Sequence, residues 1–226
     1  MQIMNYFFPI IAVLAGFIFV LILKPKQHHN FKLFLAFSGA FLLSLTIFEM
    51  LPDIFEHNTG KDTGVFIVLG ISIQIFLEFF SRGAEHGHVH THSNNKIFPW
   101  LLFASLSIHA FLEGFPINRH EDLIFAIVIH KIAISIILSS FLLGSQIGKV
   151  KIAFFLILFS IMTPLGSYIS DLIPMKEIYH NRISAMVVGI FLHISTTILF
   201  ETSEGHKFNI TKLLVIVAGL FTAYLI

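Results

Sequence analysis

Residues 123–145 read LIFAIVIHKIAISIILSSFLLGS, an apolar run whose only ionisable residues are His130 and Lys131. A helix needs about 20 mainly apolar residues to cross the hydrocarbon core of a bilayer. The run is therefore predicted to be a transmembrane helix, with both ionisable side chains at membrane depth. Ionisable groups there are costly and usually mark a substrate pathway or a paired site.

The whole chain has the same apolar character. Of its 226 residues, 56% are hydrophobic and 12% are charged, whereas soluble domains carry roughly 25% charged residues. The short gaps between the apolar segments predict one all-α polytopic bundle, a single transmembrane domain spanning residues 1–226. The eight predicted segments are 5–23, 33–52, 64–81, 97–116, 123–145, 152–170, 183–201 and 208–226.

The charge pattern predicts the topology. The first 23 residues carry no charge and lack the basic start of a secretory signal, so we expect a first membrane helix that starts outside. With that orientation, nine basic residues fall in inner loops and four in outer loops, as the positive-inside rule requires. Both termini are expected outside a cell membrane, either a plasma membrane or a bacterial inner membrane.

Residue types restrict the chemistry. There is no cysteine, which excludes disulfides, thiolate metal sites and cysteine nucleophiles. The 13 histidines are therefore the expected ligands for a borderline metal ion. A net charge of +1 gives no sign of a nucleic-acid partner, and neither such a partner nor a bound cofactor is expected.

A histidine-rich loop interrupts the apolar pattern. Residues 82–96 read RGAEHGHVHTHSNNK, with histidine at every second position from His86 through His88 and His90 to His92. The segment is too polar and too rich in glycine to span a membrane, and the predicted topology places it in the cytoplasm. We expect it to bind divalent cations, although a solvated linker is the alternative.

Two neighbouring segments carry potential metal ligands at membrane depth. His109 and Glu113 are four residues apart, so they project from one face of a helix. With His130 they offer two imidazoles and a carboxylate, a set that suits Zn²⁺ and tolerates Fe²⁺ or Mn²⁺. The alternative for any one of these histidines is a hydrogen bond to a neighbouring helix.

Further polar residues mark a predicted ion pathway. Glu49 and Asp53 lie at the outer end of the second segment, where acidic groups would concentrate cations. His193 and Glu201 lie on the seventh segment and are assigned to the same pathway, with a hydrogen bond between helices as the alternative for His193. Glu201 is near an inner helix end, so a position at the membrane surface is its alternative.

Other functions fit less well. A membrane zinc protease needs HExxH, but the one His-Glu pair, His120-Glu121, is followed by DLI. The His boxes of a di-iron desaturase do not occur either. A metal exporter would need Asp/His pairs inside the bundle, and a sensor or scaffold stays open.

Five motifs together resemble the ZIP (Zrt/Irt-like) family of divalent metal transporters. HAFLEG resembles its fourth-helix signature, and HK resembles the fifth-helix start of the branch that includes animal zinc importers. TPLGSYIS, GIFLHISTTILFE and EMLPD resemble its sixth, seventh and second helices. The motifs occupy residues 109–114, 130–131, 163–170, 189–201 and 49–53.

The resemblance implies a metal site formed by His109, Glu113 and His130. It also implies that the ligands of a second, adjacent metal are missing. Lys131 then stands where the second ion would lie and acts as a counter-ion for Glu113. The positions of that second site are occupied here by Ala110, Lys131, Ile134 and Thr163.

The expected function is uptake of a divalent ion, Zn²⁺ first, into the cytoplasm. Fe²⁺ and Mn²⁺ are alternative substrates, because Glu49 stands where the family has a histidine and makes the outer site harder. Cd²⁺ is a further alternative. The resemblance also implies a homodimer in a lipid bilayer. A metal exporter or an intramembrane metalloenzyme is the remaining alternative.

Overall fold

The computed structural model describes residues 2–24, 29–57, 60–81, 83, 99–120, 122–201 and 210–226. Within these ranges the chain is helical and contains no strand. The helices are α1 (Gln2–Leu23), α2 (His29–Leu45), α3 (Leu51–His57), α4 (Lys61–Ser81), α5 (Trp100–Glu113), α6 (Leu123–Gly144), α7 (Lys149–Leu172), α8 (Glu177–Glu201) and α9 (Ile210–Tyr224).

Six stretches of these helices are long and apolar enough to cross a membrane, which confirms a polytopic helical membrane protein. Helices α5 and α9 are shorter, with 14 and 15 residues, or about 21 and 23 Å at the α-helical rise. The hydrocarbon core is about 30 Å thick. Helix α5 ends at Glu113, shortly before Pro116, because a proline disfavours helical backbone at the preceding residue. The number of eight spanning segments stays a prediction.

Helices α2 and α3 are joined by a π-helical turn over Thr46–Met50. The Leu51 amide closes this wider turn by donating to the Thr46 carbonyl. Pro52 follows directly and has no amide hydrogen to continue the α-helical pattern. Turns of this kind are frequent at functional sites, and Glu49 lies within this one, exposed at the surface.

The packing divides the helices into two groups. Helix α1 packs on α6 and α7, and α5 packs on α7, whereas α4 packs on α8, and α2 packs on α8 and α9. Contacts of α2 with α6 and of α4 with α5 join the groups. The apolar core likewise forms two clusters, and α6 contributes Ile134 to one and Leu138 to the other. Helix α6 therefore connects both parts of the bundle.

Glycines bring helix backbones into direct contact within each group. A Cβ atom on Gly166 of α7 would lie 1.9 Å from the Phe111 carbonyl oxygen, and one on Gly114 would lie 2.2 Å from the Thr163 carbonyl oxygen. Helices α4 and α8 meet in the same way at Gly70 and Gly189. The close approach of α7 to the end of α5 brings Thr163 next to Glu113.

Substituting Gly166→Ala is expected to destabilise the protein by about 1–3 kcal/mol, because the added methyl group meets backbone atoms that cannot rotate away. The measurement is thermal unfolding in detergent. Gly64→Ala is the matched control, since a Cβ atom on this α4 glycine has no neighbour within 4 Å. Equal melting temperatures for the two variants would contradict the packing described here.

Candidate metal centre

A group of polar side chains is buried where α5, α6 and α7 meet, and we call it the deep cluster. Helix α5 supplies His109 and Glu113, and α6 supplies His130 and Lys131; each is at most 4% exposed. Thr163 of α7, with no exposed surface, completes the cluster. The i, i+4 spacing on α5 places the imidazole of His109 beside the carboxylate of Glu113.

The two oxygens of the Glu113 carboxylate have different neighbours. Lys131 Nζ lies 2.6 Å from Oε1, and the Thr163 hydroxyl donates to the same oxygen at 2.6 Å. The lysine ammonium also lies 4.7 Å from the centre of the Phe159 ring. Oε2 is on the other side, 3.4 Å from His109 Nε2. One oxygen thus holds a fixed cation, and the other is directed at an imidazole.

The distance between His109 and Glu113 is informative. At 3.4 Å it exceeds the usual 2.7–3.2 Å of a hydrogen bond. Two ligands of one tetrahedral zinc ion, each about 2.0–2.1 Å from the metal, are about 3.3–3.4 Å apart. The spacing of the pair is therefore compatible with two ligands that share an ion.

The predicted third ligand lies beside this pair. The centres of the His109 and His130 rings are 6.4 Å apart, with ring planes at 79°. The Ser38 hydroxyl of α2 is 3.2 Å from His130 Nδ1, the kind of contact that fixes the orientation of a metal-binding histidine. Within the described ranges no group of three His, Asp or Glu side chains stands close enough to hold a metal ion. The role of His130 as a ligand stays a prediction.

His193, predicted to line the ion pathway, lies outside the deep cluster. Its Nε2 is 2.6 Å from Oε2 of Glu78, which joins α8 to α4. This distance is that of a hydrogen bond, and it is shorter than the 3.4 Å that separates His109 from Glu113. Spacing along the chain does not indicate this partner, because 115 positions separate the two residues. The remaining predicted residues lie outside the described side chains: Glu201, His86, His88, His90 and His92.

A second polar group lies at the end of the bundle where α3, α8 and the turn after α5 meet, and we call it the end cluster. His120 Nε2 lies 3.5 Å from Asp53 Oδ2, and the two terminal guanidinium nitrogens of Arg119 donate to the carboxylate of Glu177. After Asp53, Glu49 is the second carboxylate whose negative charge favours the protonated form of His120. Glu49 and Asp53 are two of the predicted pathway residues, whereas His120 is not among the predicted site residues.

Burial lowers the pKa of the His120 imidazole below its usual value, although the carboxylates of Asp53 and Glu49 oppose this shift. The neutral form, which has a lone pair for a metal ion, is favoured as a result. The sequence contained one indication that Asp53 and His120 could meet. Asp53 lies at the outer end of the second predicted segment, and His120 lies in a loop predicted on the same side of the membrane. Their proximity depends on how the helices cross, which spacing alone does not give.

Comparison with known proteins gives consistent matches. A family model described as ZIP zinc transporter matches residues 82–226. Protein zntD of Dictyostelium discoideum is 26% identical over 150 residues, which cover 57% of this chain and 22% of that protein. Zinc transporter ZIP1 of Danio rerio is 27% identical over 122 residues, 49% of this chain and 40% of the relative. Zinc transporter ZIP1 of Homo sapiens is 29% identical over 131 residues, 53% of this chain and 40% of the relative. The chain spans 22% to 40% of the length of these relatives.

Proposed function

Because the chain belongs to the ZIP zinc transporter family, we propose that it carries divalent metal ions, Zn²⁺ first, across a cell membrane into the cytoplasm. Family membership agrees with the prediction that the chain is a transporter and not an intramembrane enzyme. The protein acts as a homodimer in the bilayer. The histidine-rich loop at 82–96 receives the ion on the cytoplasmic side.

The ion binds in the deep cluster, between His109, Glu113 and His130. Support comes from the ligand spacing of His109 and Glu113 and from the contact that orients His130. Both imidazoles must be neutral to bind a metal, so protonation favours release.

The single observation that carries the one-metal proposal is the ion pair between Lys131 and Glu113, whose side chains are 2% and 1% exposed. The lysine occupies the side of the carboxylate that a second ion would need. Its charge also offsets that of Glu113, so the transported ion is held by ligand bonds rather than by a net negative site. Such binding is weak enough to allow release, which a transport site requires.

Transport follows from a change in the access to the deep cluster. The deep cluster contacts both helix groups, because Ser38 on α2 of one group lies against His130 on α6 of the other. A rocking motion of one group against the other would expose the ion first to one side and then to the other, as in other transporters with sites near the membrane midplane. Glu49 and Asp53 gather cations at the outer mouth.

The test is uptake into proteoliposomes that contain the purified chain. We expect Zn²⁺ to enter fastest, with slower entry of Cd²⁺, Fe²⁺ and Mn²⁺, and no entry in protein-free liposomes. Faster entry of Fe²⁺ or Mn²⁺ would instead support the second candidate, an iron or manganese transporter, which the exposed acidic Glu49 favours. Two ions retained inside the bundle through gel filtration, with the loop histidines replaced, would contradict the one-metal proposal.

A further inference from the structure

His120 has an atom that its surroundings leave unsatisfied. The side chain is 10% exposed, and its Nε2 has no hydrogen-bond partner among the described residues. A buried polar atom without a partner costs about 1–3 kcal/mol. Such atoms are uncommon in folded proteins and call for an explanation, for example an ion.

The position of Asp53 shows where an ion would bind. Its Oδ2 lies 3.5 Å from His120 Nε2, close to the separation of about 3.3–3.4 Å expected for two ligands of one zinc ion. The His109 and Glu113 pair has nearly the same spacing, 3.4 Å. The hydrogen-bonded pair of His193 and Glu78, at 2.6 Å, does not.

Charge and access are also suitable for a cation. The Asp53 side chain is 37% exposed, so the pair can be reached from solvent. Glu49 adds a second negative charge near His120, and the positive charge of Arg119 is paired with Glu177. The electrostatic balance at the end cluster is therefore negative, which attracts cations.

We propose that His120 and Asp53 form a second, shallower site for a divalent transition-metal ion, with water completing the coordination. The imidazole favours Zn²⁺ and similar ions over Mg²⁺ and Ca²⁺, which prefer oxygen ligands. Two protein ligands give weak and exchangeable binding, weaker than that of the three ligands proposed for the deep cluster. Only the role in transport, capture of the ion before it moves to His109 and Glu113, rests on the proposed function.

The test is equilibrium dialysis of the purified full chain against Zn²⁺. The parent variant has the four loop histidines replaced by serine and also carries His109→Ala and His130→Ala, which disable the deep site but keep Lys131 paired with Glu113. We expect it to bind an exchangeable ion at the end cluster, and His120→Ala or Asp53→Asn to weaken this binding by at least about tenfold. A large excess of Mg²⁺ should leave zinc binding unchanged.

His180→Ala is the matched control. This histidine is on the first turn of α8, at the same end of the bundle. Glu177 and Asp171 act on it electrostatically, but it forms no ion pair like that of His120 and Asp53 among the described residues. Asp53→Asn keeps the side-chain shape at a partly exposed position, so it tests the site even if His120→Ala folds poorly. Parent-like zinc binding in Asp53→Asn would overturn the proposal whether or not the chain transports zinc. Displacement of zinc by Mg²⁺ would overturn it as well. Loss of binding in these variants, together with no zinc uptake by the wild-type chain, would support the site and count against the proposed function alone.

Discussion

In proteoliposomes, His109→Ala is expected to reduce Zn²⁺ uptake by roughly two orders of magnitude, because it removes a ligand from a site with few others. The imidazole and the Glu113 carboxylate have the spacing of two ligands of one ion, 3.4 Å. The measurement is the initial rate of zinc entry, normalised to the amount of folded protein recovered by gel filtration. This variant is a better probe than Glu113→Ala, which would leave the Lys131 charge buried without a partner.

His180→Ala serves as the control in the uptake assay, since it removes a histidine that lies outside the deep cluster. We expect this control to transport zinc at the wild-type rate. Wild-type uptake by His109→Ala itself would remove the deep cluster from the transport route. The family assignment would stand in that case, because it does not depend on this residue.

Substituting Lys131→Met is expected to lower the free energy of unfolding by about 3–5 kcal/mol, because it leaves the carboxylate of Glu113 buried without its counter-ion. The lysine Nζ lies 2.6 Å from that carboxylate, and both side chains are almost fully buried. Unfolding in detergent with increasing denaturant measures the loss. The variant Lys131→Met/Glu113→Gln should recover most of the stability, since it removes both charges.

The effect of added Zn²⁺ on stability distinguishes a lysine that replaces a metal ion from one that only pairs with a buried carboxylate. If Lys131 takes the place of a cation, added Zn²⁺ should stabilise Lys131→Met more than it stabilises the wild type. The double variant, which lacks the carboxylate, should not show this gain. Equal stability of Lys131→Met and the wild type without metal would contradict the assigned role of the ion pair.

The sequence predicted those features of the fold that depend on local spacing. Apolar segments of sufficient length predicted the six stretches that are long and apolar enough to cross a membrane, because the length needed to cross a bilayer is fixed. The i, i+4 rule placed His109 beside Glu113, because both lie on one helix. The helix ends were less accurate: the predicted segment 97–116 becomes α5 over residues 100–113, since the chain enters a series of turns before Pro116.

Contacts between helices could not be derived in the same way. Glu78 and His193, 115 positions apart, meet because α4 and α8 approach at Gly70 and Gly189. The spacing of residues along the chain does not predict where α4 and α8 cross. In the sequence, His120 belongs only to a His-Glu pair that lacks the rest of a protease motif, and its partner Asp53 lies 67 positions earlier, on α3. Only packing brings the two together.

The arrangement of ion pairs has a consequence for ionic strength. The pairs Arg119–Glu177 and Arg182–Asp62 lie at the end of the bundle where the outer loops are predicted, with side chains between 33% and 60% exposed. At physiological salt the screening length is about 8 Å, and exposed pairs of this kind weaken as salt increases. The buried pair of Lys131 and Glu113 is shielded from dissolved ions. A higher salt concentration should therefore weaken the ion pairs at this end of the protein, while the pair of Lys131 and Glu113 at its centre is unaffected.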